Sequence, residues 1–508
     1  MQRDGNRTSL WQYGTPPYKP ENEGLPGHLL DVVVVGGGIT GLTTALLLQK
    51  AGKKCAVAES RGICFGTSGG TTAHLNTIMD SPYYEIARNF GENSAQKVAT
   101  LARNAIELIE RNIKEYGIEC EYQKVAAYLF SQNEKESSEL EKIVEGTNKA
   151  GVGMEYTASL PVPIPFTKVA KVTDQGQFHS TQYLYGIASA FEKSGGLILQ
   201  NCRVNDVQVE KEEAQVSTSR GVMRARYVVY ATHIPPGVNL LHFRCAPYRS
   251  YAMAIKLAGG EYPEAMAYDL EDPYHYYRSQ KVGNDTYLIA GGEDHKTGHE
   301  ENTGNCFTKL ESYLRRYFDI AEIAFSWSSQ YFEPADGLPY IGHLPGNPDN
   351  VFVATGFGGN GMIYGTASGM ILADLICNGT SEYKDLFNPN RVKPVAGFAN
   401  VVKEAADVAG VFFGKPVATE KIAELAEVAR GEARVVKYDG SQLAVYKDDT
   451  GKVFALNPAC PHIKCTVAWN DAEKSWDCPC HGSRFSFTGD LLTGPSRKDL
   501  EIINLDNK

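Results

Sequence analysis

Residues 31–59, DVVVVGGGITGLTTALLLQKAGKKCAVAE, constrain this chain more than any other stretch. Val32 to Val35 are four consecutive β-branched residues, the pattern of a short strand buried on both faces. Gly36, Gly38 and Gly41 follow as G-x-G-x-x-G. A helical run from Leu42 to Lys50 comes next, then a second strand from Cys55 to Ala58. That strand ends in Glu59, 18 residues after Gly41. Each residue type has a physical reason. Gly36 permits a tight turn, Gly38 lets the backbone approach a pyrophosphate, and Gly41 lets helix and strand pack closely. The helix N-terminus offers N–H groups and the positive end of its dipole to the anion. Glu59 stands where a carboxylate accepts hydrogen bonds from a ribose hydroxyl. The glycines alone would also describe an ordinary turn. The strand before, the helix after and the acid at this distance together predict a dinucleotide site.

A length of 508 residues predicts two or three domains. The net charge of −10, with no long Lys/Arg run, excludes the electrostatic footprint of a nucleic-acid binder. Two uncharged stretches, 32–49 and 350–373, are apolar enough to resemble membrane spans. The glycines inside each argue for strand, turn and helix instead, so no membrane span is expected. The opening MQRDGNRTSLWQYG has no apolar core of a secretory signal, which predicts a cytoplasmic protein. Seven of the 11 cysteines are scattered in apolar surroundings and read as buried free thiols. The other four fall within residues 460–480, and that clustering needs its own account.

Along the chain, residues 1–28 are polar and rich in Pro and Gly, which predicts an extension lying on the surface. The loop RGICFGTSGGTTAHLN, 61–76, offers many backbone and hydroxyl donors with little bulk, as a loop against a dinucleotide would. Helical patterns cover 84–116, 134–149 and 178–193. Strand patterns cover 119–130, 197–209 and 221–231, and aromatic and β-branched residues mark sheet at 247–256 and 274–292. Residues 351–378 repeat strand, glycine turn and helix. Residues 391–430 read as a helical linker, and 431–508 as a compact β-rich block.

Residues 31–386 resemble the D-amino acid oxidase-like family of flavin oxidoreductases. The resemblance rests on the fingerprint with Glu59, the Gly/Thr loop at 66–72, VVYAT at 228–232, ADGLPYIG at 335–342 and VFVATGFGGNG at 351–361. It implies an α/β FAD-binding, Rossmann-like domain with an inserted mixed-sheet substrate domain, interleaved over 29–390. The FAD contacts it implies are Gly36, Gly38, Gly41, Glu59, Ser60, Arg61, Thr67, Ser68, Thr71, Thr72, Val204, Ala231, Thr232, Gly356, Gly358, Asn360, Gly361 and Met362. Gly356, Gly358 and Gly361 form a second G-x-G-x-x-G that could be read as an NAD(P) site. No second strand ending in an acid follows it, because Asp374 falls within the helix. In the family this turn aims a helix N-terminus at the flavin ring, where negative charge builds up on reduction.

The family's chemistry is hydride transfer from a carbon bearing nitrogen to the flavin. The candidate catalytic residues are Tyr251, His275, Tyr277, Arg278 and Glu333, with Asn360 beside them. Members that oxidise small amino acids commonly carry an Arg where YFEPADG here has Glu333. A Glu repels a carboxylate and attracts a cation. The expected substrate is therefore an amine, or an amino acid whose carboxylate is met by Arg278. Some relatives attach FAD covalently through a His, but His74 does not fall at that position.

In the C-terminal block, Cys460-Pro461-His462 and Cys478-Pro479-Cys480-His481 give C-x-H, 15 residues, then C-x-x-H. The spacing alone fits zinc or an iron–sulfur centre. CPHIKC at 460–465 and CPCHGSRF at 478–485 resemble the two cluster-binding loops of Rieske [2Fe–2S] proteins, and the similarity spans about 432–507. It implies a small all-β domain with Cys460, His462, Cys478 and His481 as ligands. It also implies a disulfide between Cys465 and Cys480. Ser483 matches a residue that hydrogen-bonds a cluster sulfur in high-potential members. Phe485 stands where those members have Tyr, so the potential is expected to be lower.

For the whole chain these resemblances imply a dehydrogenase. Substrate gives two electrons to FAD, and the cluster passes them singly to an external acceptor, with 391–430 docking or swinging the cluster near the flavin. The alternative is an amine or amino acid oxidase that makes peroxide, its Rieske domain being structural or a redox sensor.

Overall fold

The computed structural model describes residues 3–392, 420–421 and 425–505. The β-branched run forms the strand Leu30–Val35 at the heart of a sheet. It lies parallel to Gly221–Tyr230 on one side and to Cys55–Ala58 on the other, with Val35 opposite Tyr230 and Ala58. The sheet order is Tyr340–His343, Val351–Thr355, Gly221–Tyr230, Leu30–Val35, Cys55–Ala58, Leu197–Leu199. An antiparallel hairpin, Val204–Glu210 with Glu213–Thr218, extends it from Gly221–Tyr230. The parallel strands end at one edge, where an open α/β sheet holds its ligand. The helix Ile39–Lys50 packs on the sheet beside Gly361–Asn378.

A second, nine-stranded sheet is mixed: Ala265–Tyr268 runs parallel to Gln123–Ser131, and its other pairs are antiparallel. Successive side chains point to opposite faces. One face buries Tyr251, Met253, Tyr277 and Leu288 under the helix Thr303–Leu314. The other face looks toward the first domain. The C-terminal block holds two four-stranded sheets, Glu420–Lys421 through Val453–Leu456 and Ala468–Asn470 through Leu491–Thr493. Glu420–Lys421 pairs with Ala433–Tyr438, so strand structure of this block begins before residue 431.

Two sequence expectations change. The single helix expected over 84–116 is two, Tyr83–Phe90 and Glu92–Tyr116. Gly91, at φ +93°, takes a conformation that breaks the helical path. The helical linker expected over 391–430 falls mostly on 393–419 and 422–424, which lie outside the described residues.

The second change is at the start of the N-terminal extension: residues 3–5 and 9–12 lie inside the molecule, whereas 13–28 lie mostly on its surface, as expected. Leu10 and Trp11 are buried, the Trp11 indole donates to the Thr71 carbonyl, and the Arg278 guanidinium sits 5.0 Å from its ring. Burying an indole stabilises by a few kcal/mol, on the order of 2–3. The charges that make the segment look solvated are paired instead. Arg3 meets Glu473 at 3.3 Å, and Asp4 meets Arg484 at 3.2 Å. Arg484 also meets Asp477 at 3.1 Å, and Arg249 completes the cluster by donating to Ser328. Three arginines and three carboxylates from the N-terminal segment, the second sheet and the C-terminal block thus neutralise one another in the interior. Among the described residues no helix is long and apolar enough to cross a membrane.

Candidate functional site

The Gly-rich turn opens a cavity of about 870 Å³ at the ends of the parallel strands, near the upper end for ligand pockets. Gly36 has φ +113°, and a Cβ on Gly41 would lie 1.9 Å from the Gly36 carbonyl oxygen, so the turn closes only with glycine at both places. Gly38 faces Ser68, whose hydroxyl accepts the Ile39 N–H at 3.0 Å. The Glu59 carboxylate accepts from the Gly37 N–H at 2.7 Å and the Arg61 N–H at 2.8 Å. Burial raises its pKa, and those hydrogen bonds oppose the rise. A glycine turn no Cβ could enter, a helix N-terminus and a held carboxylate fit an adenine dinucleotide.

Of the FAD contacts expected from sequence, Gly36, Gly38, Glu59, Ser60, Arg61, Thr67, Ser68, Thr71, Thr72, Val204, Ala231, Thr232, Gly358, Asn360, Gly361 and Met362 line this cavity. Gly41 and Gly356 stand behind it. Gly41 packs on the turn itself, and Gly356 packs against Cys245 and Pro334.

The catalytic candidates divide differently. Glu333 lines the cavity, whereas Tyr251, His275, Tyr277 and Arg278 are placed outside its lining. Tyr251 and Tyr277 lie on the helix-covered face of the second sheet, where the Tyr251 hydroxyl bonds His295 Nε2 at 2.9 Å. His275 Nδ1 bonds Asp269 at 3.0 Å, and its ring stacks on Tyr313 at 3.8 Å. Burial works against its positive charge, but Asp269, Glu271 and Glu293 outweigh that and raise its pKa. Arg278 donates to the carbonyls of Ala73 and Phe178 and to Gln280 beneath Trp11, and it does not line the cavity.

The residues missed are their neighbours. Tyr274, Tyr276, Tyr331, Asp294 and Asp80 line the cavity. Strand alternation was the available signal: Tyr276 and Tyr331 sit one residue from Tyr277 and two from Glu333. Asp294 accepts the Tyr331 hydroxyl at 2.8 Å through Oδ2, while its Oδ1 is buried without a partner. Burial pushes Asp294 up to about 7, against the hydrogen bonds from Ser250 and Tyr331, and the charge of Asp80 adds to the rise. Asp80 accepts the Gly359 N–H at the N-terminus of Gly361–Asn378, and its own N–H donates to Asn360 Oδ1 at 2.8 Å. Burial pushes it up to about 6. His74 also lines the cavity and bonds the Tyr268 hydroxyl at 2.9 Å.

The four cysteine and histidine candidates of the C-terminal block come together at the tips of two loops. The Cys460 and Cys478 thiols interact directly, which lowers the pKa of Cys460 and raises that of Cys478. The His462 and His481 rings lie 5.1 Å apart. His462 Nδ1 and both nitrogens of His481 are buried without a partner, as nitrogens awaiting a metal are. Two sulfurs and two such imidazoles fit a [2Fe–2S] cluster with one Cys₂ iron and one His₂ iron. Cys465 and Cys480 are bonded to each other between the loops, with Cα atoms 6.6 Å apart, and so are not ligands. In folded, unreduced protein both are expected to resist alkylation, read by mass spectrometry. Labelling of either would contradict the bond. The imidazoles face the flavin domain: His462 Nε2 bonds the Gly237 carbonyl at 3.1 Å, and the His242 ring lies 4.8 Å from His462 and 5.7 Å from His481.

Comparison with known proteins agrees with this geometry. Residues 31–375 match the family model described as FAD dependent oxidoreductase, and residues 418–504 match the Rieske [2Fe-2S] domain. A putative Rieske 2Fe-2S iron-sulfur protein of Bacillus subtilis is 32% identical over 478 residues, 94% of each chain. The gamma-glutamylputrescine oxidoreductase of Escherichia coli is 23% identical over 73% of this chain and 88% of its own length. Glycine oxidase from Geobacillus kaustophilus shares the fold, with a TM-score of 0.60 at 17% identity over 72% of this chain and 99% of that one. With this fold, this dinucleotide cavity and this pair of loops, the chain belongs to the FAD dependent oxidoreductase family and carries a C-terminal Rieske domain, an oxidoreductase whose cofactors are FAD and a [2Fe–2S] cluster.

Proposed function

We propose that this protein is an amine dehydrogenase that takes a cationic amine at the FAD site and sends the electrons out through the Rieske domain. The observation that carries the amine reading is the charge of the cavity wall. Asp80, Asp269, Glu271, Asp294 and Glu333 line it among Tyr274, Tyr276 and Tyr331. The arginines that line the cavity, Arg61, Arg203 and Arg497, stand at the Glu59 end, where Arg203 pairs with Asp499 and Arg497 with Asp206. A carboxylate substrate would meet like charges at the acidic wall. An ammonium group would meet opposite ones, with tyrosine faces adding cation–π attraction. The gamma-glutamylputrescine oxidoreductase of Escherichia coli, whose name points to an amine, supports the same reading.

The residues divide the work as follows. Tyr274, Tyr276 and Tyr331 enclose the substrate and exclude water. Asp294, which lines the cavity, accepts a proton from the bound ammonium, because only a neutral amine has the lone pair that stabilises the cation left by hydride loss. Bound FAD would supply the acceptor for that hydride. Cys460, His462, Cys478 and His481 would hold the cluster, whose chemistry is one-electron transfer. The Gly237 carbonyl and the His242 ring set its imidazole edge against the flavin domain.

The test is anaerobic reduction of the flavin by a panel of diamines, monoamines and amino acids, followed by EPR of the cluster. Amines are expected to bleach the flavin and produce the Rieske signal, with little peroxide when air is admitted alongside an artificial one-electron acceptor. Glycine or D-alanine as best substrate would overturn the amine reading. Stoichiometric peroxide with a silent cluster would favour the oxidase alternative.

Phe485 is buried among the strands that carry the second loop, and its ring has no hydroxyl to donate. Ser483 still hydrogen-bonds Cys460, and its oxygen accepts the Ser496 N–H at 3.0 Å. Phe485→Tyr is expected to raise the cluster potential by tens of millivolts in protein-film voltammetry, by adding a donor near a cluster sulfur. An unchanged potential would show that the hydroxyl finds no sulfur.

A further inference from the structure

We propose that the Rieske domain is itself a wall of the FAD site, closing over the adenosine half of the dinucleotide with residues 490–499. The strand Leu197–Leu199 lies parallel to Cys55–Ala58, so its end carries the chain past Glu59. Backbone bonds fix this: Glu59 N–H to Leu199 O at 2.9 Å, Cys202 N–H to Glu59 O at 2.8 Å, and Asn201 N–H to Arg61 O at 2.8 Å. Glu59 is the ribose-binding acid, so the adenosine half must lie between it and the 201–204 turn.

The opposite side of the same cavity belongs to the C-terminal domain. Leu491, Leu492, Thr493, Arg497 and Asp499 line it. Four ties hold this segment to the flavin domain. Arg61 Nη2 donates to the Leu491 carbonyl at 3.3 Å, and Arg203 pairs with Asp499 at 2.8 Å. Arg497 pairs with Asp206 at 3.0 Å, and the Gly237 N–H donates to the Pro495 carbonyl at 2.8 Å. Asp499 Oδ1 also accepts the Leu491 N–H at 2.9 Å, so one carboxylate both shapes the segment and anchors it.

A ligand bound between two domains strengthens their docking by the factor by which docking strengthens its binding. FAD retention and the seating of the Rieske domain are therefore one equilibrium. The same segment reaches the cluster loops, because Ser496 N–H donates to Ser483, which bonds Cys460. A Rieske domain that has lost its cluster, and with it the free energy of metal binding, holds FAD less tightly.

The test uses the full chain with its cluster loaded. Hydrogen exchange is followed by mass spectrometry before and after FAD is added to flavin-stripped protein. Amides of 490–499 are expected to slow about tenfold together with those of 36–41 and 59–61. Asp499→Ala in the same chain is expected to weaken FAD about tenfold by fluorescence titration, with the cluster's visible spectrum unchanged. The proposal is overturned if FAD slows 36–41 and leaves 490–499 as before, or if Asp499→Ala binds FAD as the parent does. AMP alone should also slow 490–499, and protection by FMN but not by AMP would overturn the adenosine assignment.

Discussion

Asp294→Asn is expected to lower kcat/KM for amine oxidation by about 10² to 10⁴, the contribution of a positioned general base. The substitution keeps the shape of the side chain and a hydrogen bond with Tyr331, so FAD content and folding should be unchanged. What it removes is the carboxylate of a residue that lines the cavity. The sign of the pH dependence follows from Asp294 standing near 7. Below that value the carboxyl is protonated and cannot accept the ammonium proton, so parent activity rises with pH through about 7. The variant should lose that limb and regain rate only at the higher pH where free substrate amine is already neutral. A full-rate variant with the parent profile would remove Asp294 from the chemistry and leave the acidic wall as a binding surface alone.

Glu473→Ala is expected to cost about 3–5 kcal/mol, because it leaves buried positive charge uncompensated. Glu473 accepts from Arg3, from the Arg7 N–H, and from both the Ser328 N–H and hydroxyl. Burial raises its pKa, but the charges of Arg3, Arg249 and Arg484 outweigh that and bring it down to about 2. The folded value lies below the unfolded value of about 4.5. Its contribution is therefore fully present above about 4.5 and is lost as pH falls toward about 2, and amounts to roughly 3 kcal/mol. Cluster bleaching against denaturant at pH 7 and at pH 3 is the measurement. The parent should lose stability between the two, and the variant should lose less. Equal losses in both would show that the six-charge cluster does not hold the Rieske domain in place.

The same cluster bears on how electrons pass. The sequence leaves both docking and swinging of the cluster by residues 391–430 open. Among the described residues the Rieske domain is docked against Arg3, Asp4 and Arg249 on one side and Arg61, Arg203 and Asp206 on the other. Its imidazole edge bonds Gly237 of the flavin domain directly.

Local chemistry made much of this protein legible in one dimension. The dinucleotide turn needs its glycines, strand, helix and acid within 31–59, and all of these are neighbours in sequence. The two cluster loops likewise carry ligands and bridging cysteines within a few positions of one another, so residue type and spacing identify them.

Only the tertiary structure decided the rest, for three physical reasons. The parity of a strand fixes which side chains meet the cavity, and a shift of one residue exchanges the faces. Tyr276 thus faces the cavity and Tyr277 the helix, though both read alike in sequence. The fate of a charge depends on partners hundreds of positions away. Arg3 and Asp4 look solvated until Glu473 and Arg484 meet them, and Arg278 looks free until Trp11 covers it. A cavity shared between domains leaves no continuous pattern at all, because Arg61 and Leu491 become neighbours only when two separately coded folds dock.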